Sequence, residues 1–83
     1  MSTPDWDVSC AAAGSPIVVT VRAAECNPIR VELVYNGNAP TSKSCTVPGK
    51  VEFPTGAGDG GTGYTVNLYC GTTLVDSKTG TVP

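Results

Sequence analysis

Four cysteines, Cys10, Cys26, Cys45 and Cys70, in a chain of 83 residues without a histidine, constrain the fold more than any other feature. No two are close enough to form a CxxC pair, so zinc ribbons and thioredoxin-type redox centres lack their ligand spacing. What remains is a pair of disulfides closing large loops, the device by which small secreted domains supplement a thin core. Four cysteines permit three pairings, and the residues alone do not choose among them.

Residues 1–83 make one domain. A chain of this length buries only about 60–65% of its unfolded surface. Two bridges worth roughly 3 kcal/mol each would then be decisive against a typical net stability of about 5–15 kcal/mol. Five Lys and Arg face seven Asp and Glu, for a net charge of −2, which argues against nucleic acid and polybasic membrane contacts. No apolar run approaches the roughly 20 residues of a membrane span. No signal peptide precedes Asp5-Trp6-Asp7, so the expectation is a mature domain with Met1 as an added start. A secreted location is inferred from the cysteines alone, and a monomer is expected.

Short extended segments between turn signals account for nearly all of the chain. Residues 6–13 end at Gly14-Ser15-Pro16, and the β-branched run 17–22 follows. In residues 29–35, Ile29, Val31, Leu33 and Tyr35 share one face, with Arg30, Glu32 and Asn36 on the other. Further strands are expected over 42–47, 50–53, 64–70 and 72–82, with Tyr64, Val66, Leu68 and Cys70 inward. Residues 55–63 hold five glycines in nine and read as a mobile loop. The fold class is therefore all-β, a small antiparallel β-sandwich or barrel of six to seven strands with two disulfides.

Catalysis is not expected. The usual general base near neutral pH is missing, and the carboxylates are scattered without a distinctive spacing. Gly56-Ala57-Gly58-Asp59-Gly60-Gly61 lacks both the repetition of calcium-binding glycine motifs and the Gly-Lys-Ser/Thr ending of a phosphate loop. Neither metal nor cofactor is predicted. Trp6, the single tryptophan, reads as a core anchor ahead of a sugar-stacking platform. Arg22 reads as a solvated face residue.

The cysteine frame, the run Ile29-Arg30-Val31-Glu32-Leu33-Val34-Tyr35, the triplet Val47-Pro48-Gly49, the stretch Asp59-Gly60-Gly61 and the strand ending at Cys70 resemble the tendamistat-type α-amylase inhibitors of actinomycetes. The resemblance covers about residues 8–70. It implies bridges Cys10–Cys26 and Cys45–Cys70, and a secreted protein inhibitor of an extracellular hydrolase, with α-amylase or another glycosidase as target. The family's inhibitory Trp-Arg-Tyr triplet is absent; the equivalent positions are Ile17, Val18 and Val19. On this reading Gly14, Ser15, Pro16, Ile17, Val18 and Val19 form the target-binding loop, with residues 56–63 and 36–40 as weaker candidates. Pro16 would stiffen that loop and reduce the entropy lost on docking.

The run 64–82 is also similar to the last two strands of immunoglobulin-like or fibronectin-III-like modules. That similarity implies a structural or adhesive module of a bacterial surface protein. A carbohydrate-binding module using Trp6 and the tyrosines is the third expectation.

Overall fold

The computed structural model describes residues 3–35 and 37–83; the expectations placed on Met1, Ser2 and Asn36 lie outside the described residues. Seven strands follow one another: β1 (Asp5–Cys10), β2 (Ile17–Ala23), β3 (Ile29–Tyr35), β4 (Thr41–Cys45), β5 (Gly49–Phe53), β6 (Gly63–Cys70) and β7 (Thr73–Thr81). No helix occurs among the described residues. The strands form two antiparallel sheets, one ordered β1-β2-β5 and the other β4-β3-β6-β7, which pack as a sandwich. β1 stops at Cys10, three residues before the expected end, because Ser15 N–H donates to Ala12 O (3.0 Å) and turns the chain.

Period-two alternation sets the inner faces. Ile17, Val19 and Val21 of β2 oppose Ile29, Val31 and Leu33 of β3 and Val66 and Leu68 of β6, all buried. Trp6 closes the core beside β1 and Phe53 beside β5. No polar or charged residue is buried among the described residues. Trp6 is 2% exposed, and its Nε1–H donates to Asp76 Oδ2 at 2.9 Å, linking the edge strands of the two sheets. Tyr64 lies directly on Gly80, its cross-strand partner, where a Cβ would collide with the ring.

Register divides the sandwich into two poles. The ends of β1, β3, β5 and β7 meet the starts of β2, β4 and β6 at one pole, through the pairs Cys10↔Ile17, Ile17↔Phe53, Tyr35↔Tyr64 and Gly63↔Thr81. Residues 11–16, 37–40 and 54–62 lie there. The opposite pole has the connections 24–28, 46–48 and 71–72. Asn27 ties two of these together, donating from Nδ2 to Val47 O (3.2 Å) and accepting at Oδ1 from Val47 N–H (3.1 Å).

The expectation of two disulfides is corrected. One bridge joins Cys26 to Cys70, with Cα atoms 5.8 Å apart, while Cys10 and Cys45 are free thiols. Neither bridge implied by the resemblance forms, and the register explains why. Cys10 pairs with Ile17 at the loop pole, and the seven residues of β2, about 23 Å of strand, separate that pole from Cys26. Cys45 pairs with Ile29 on one side of β3, and Cys70 directly follows Tyr69, which pairs with Arg30 on the other side. Two strand spacings, about 9.5 Å, then lie between Cys45 and Cys70, beyond the roughly 7 Å that a disulfide spans. Cys26, on the crossover from one sheet to the other, is the partner within reach. Burial pushes the Cys45 thiol above its ordinary pKa.

Denatured, unreduced protein should therefore titrate two thiols per chain, and peptide mapping should recover Cys26 linked to Cys70. The bridge spans 44 residues, so Cys26→Ser with Cys70→Ser should lower unfolding stability by about 4 kcal/mol on the chain-entropy model, measured by urea denaturation.

Candidate functional site

The loop pole gathers the residues singled out in the sequence as contact surfaces. Loop 11–16 leans on loop 54–62: Gly14 N–H donates to Thr55 Oγ1 (2.9 Å), and Thr55 Oγ1–H donates to Ser15 O (2.6 Å). Gly14, beside Ala57, has φ of +89°, a left-handed backbone that suits glycine. The Cys10 thiol, half-buried beneath this turn, donates to Ser15 O at 3.7 Å.

The glycine-rich loop carries its own framework of hydrogen bonds. Gly56 N–H donates to Asp59 Oδ2 (2.6 Å), Asp59 N–H to Gly56 O (3.0 Å), and Thr62 N–H to Asp59 O (3.0 Å). Gly61 N–H donates to Val82 O (2.7 Å), and Val82 N–H to Thr62 O (2.9 Å), so the segment after β7 clamps the loop. The composition signalled freedom; the turn-forming Asp59, three residues after Gly56, was the overlooked sign of order.

Tyr35 borders two depressions at this pole. One, about 610 Å³, runs over Tyr64, Thr79, Gly80 and Thr81 beside Asn38. The other, about 260 Å³, is an apolar seam between β4 and β5, lined by Leu33, Ala39, Phe53 and Pro54 and crossed by Lys43. Lys43 Nζ donates to Glu52 O (2.5 Å) and lies 5.1 Å from the Phe53 ring centre. The Tyr35 hydroxyl oxygen is buried and has no hydrogen-bond partner among the described residues. Burial first, and then the neighbouring Asp59 carboxylate, push its pKa up.

Of the six residues predicted to bind a target, Gly14 and Pro16 are exposed, Ser15 is half-buried, and all three lie in the polar turn. Ile17, Val18 and Val19 belong to β2. Ile17 and Val19 are fully buried in the core, while Val18 points outward between Ser9 and Glu52. The expected loop 13–19 thus becomes a shorter turn followed by strand, because the alternating aliphatic run satisfies the sheet. Trp6 has no ring face free for a sugar. Arg22 lies on the outer face, its Nη2 at 2.7 Å from Asp5 Oδ1 and its Nη1 at 2.7 Å from Asp7 Oδ2; the Arg22 hydrogen bond holds the Asp5 carboxyl below its ordinary range.

The outer face of the four-stranded sheet is a self-paired polar ladder. Asn67 Nδ2 donates to Glu32 Oε1 (3.1 Å), Ser77 Oγ donates to Asn67 Oδ1, and the Arg30 guanidinium covers the Tyr69 ring at 4.3 Å. No group of three or more metal-ligating side chains occurs among the described residues. The chain matches no family model, no curated protein and no solved structure.

Alanine substitutions separate core from surface in β2. Ile17→Ala should cost about 2–5 kcal/mol as a cavity-forming core change, whereas Val18→Ala should cost under about 1 kcal/mol, both read by chemical denaturation.

Proposed function

We propose that this chain is a secreted, non-catalytic binding module of immunoglobulin-like architecture that docks onto a protein partner through its loop pole. The observation that carries the reading is convergence: residues 14–16, 37–40 and 56–62, each part of a segment picked out in the sequence, lie at the same end of the sandwich. Two of them are fixed to each other through Thr55. Preorganised loops on a rigid sheet pair lose little entropy on docking.

Strand order supports the architecture. Immunoglobulin-type sandwiches set strands A, B and E against C, F and G; β1-β2-β5 faces β3-β6-β7 in that manner, with β4 beside β3. The composition of the pole supports a protein partner. Its loops carry Ala, Gly, Pro, Ser, Thr and Asn with Asp59 as the single charge, unlike the cationic surfaces that bind phosphate backbones or anionic membranes. The disulfide supports an extracellular setting.

Inhibition of a glycosidase is the narrower form of the same reading. Gly14 and Pro16 are exposed between the first two cysteines, which supports this form, whereas Ile17 and Val19 are given over to the core and neither bridge of the amylase-inhibitor resemblance forms.

Capture from extracellular protein fractions tests the proposal. Wild type and Thr72→Arg, altered at the far pole, should retain the same partner, while Ala12→Arg and Ala57→Arg should lose it; the opposite pattern overturns the loop pole as the contact. Titration against α-amylase decides the narrower form, which undiminished activity in micromolar protein removes.

A further inference from the structure

A two-sheet sandwich leaves four strand edges, and here they are unequally protected. β5 is five residues long and lies between Pro48 and Pro54, with Glu52 O taken by Lys43. β4 is also five residues long and carries Lys43 in its middle. β1 has Asp5 and Asp7 and a register shift between Asp5 and Trp6. Short edges, prolines, charges and bulges all discourage pairing with another chain. β7 is the longest strand, nine residues, with no proline, and with Leu74, the exposed large hydrophobic side chain, near its start. Beyond its irregularity, residues 76–81 pair regularly with β6.

One group interrupts this edge. Ser77 pairs with Asn67 of β6, yet its backbone N–H donates to Asp76 Oδ1 at 2.8 Å. An N–H used this way is turned away from β6, toward the open side of the strand, as at a non-hydrogen-bonded pair of an antiparallel ladder. The other oxygen of Asp76 accepts Trp6 Nε1–H at 2.9 Å. The carboxylate is therefore held on the sandwich by β1 while it covers the edge donor of β7. Lys78 lies beside it, 5.2 Å from the Trp6 ring centre.

We infer that the free edge of β7 over residues 76–81 is a pairing surface for a second copy of this chain, and that Asp76 keeps it closed. The second copy is the occupant because the edge is self-complementary. An antiparallel two-fold arrangement centred on Ser77 sets each Ser77 N–H opposite the other chain's Ser77 C=O, and both bonds form together. Equivalent residues then share a face, so the two four-stranded sheets continue as one. While Asp76 occupies the N–H, those two central bonds are blocked.

Sedimentation equilibrium over a concentration series tests this. Wild type should stay at monomer mass. Asp76→Ala should show a weight-average mass rising toward twice that value with concentration, and Asp76→Val, which keeps a strand-favouring side chain at the position, should do the same. Adding Ser77→Pro to either should restore the monomer, because proline removes the edge donor. Monomeric Asp76→Ala and Asp76→Val proteins with intact sheet circular dichroism overturn the proposal. So does association of the Ser77→Pro double variants as strong as that of the single ones, or wild type associating as strongly as Asp76→Ala.

Discussion

Two dry faces hold this molecule together. The buried residues of both sheets are apolar, supplied by every second position of β2, β3 and β6 and closed by Trp6 and Phe53. Fully burying a side chain of this kind contributes about 1.5–3 kcal/mol, which outweighs any surface ion pair such as Arg22 with Asp5 and Asp7. Polar partners consequently occupy the outer faces and edges. Trp6 is the exception that links the two regions: its ring is in the core, while its N–H reaches an edge carboxylate.

The poles follow from the topology that this packing imposes. One is fixed by the Cys26–Cys70 bridge and by the reciprocal bonds of Asn27 with Val47. The other carries loops 11–16 and 54–62, whose order comes from Thr55, Asp59 and the clamp of Val82. Covalent restraint and loop pole are thereby at opposite ends of a body measuring 38 × 21 × 17 Å. Changes in the loops at that pole leave untouched the residues that secure the crossover between sheets.

Much of this was legible in the residues. Alternation in 29–35 and 64–70 gave strand and inward face together, because period two has a single meaning on a sheet with one dry side. Gly14-Ser15-Pro16 marked a turn correctly; Pro48 falls in the connection 46–48, but β4 already ends at Cys45 and Gly49 opens β5. The disulfide was not legible, since pairing depends on which strands flank β3, and no local pattern encodes that. The strand over 17–22 was legible from its β-branched run. Its place in the core rather than on a target-binding loop was not, because the partners Phe53, Glu52 and Val51 decide it. The order in 55–63 was hidden because glycine content reports the freedom available to a backbone, not the hydrogen bonds that remove it.

The clamp on the glycine loop has a mechanical meaning. β1 begins at the bridged pole, whereas β7 finishes at the loop pole, where Val82 is buried and bonded to Gly61 and Thr62. Tension drawn along the polypeptide between these two strands reaches the glycine-rich loop at Val82 before it reaches the sheets. Peeling that one residue would release Gly61 and Thr62 and reshape the loop pole while the sandwich stayed intact.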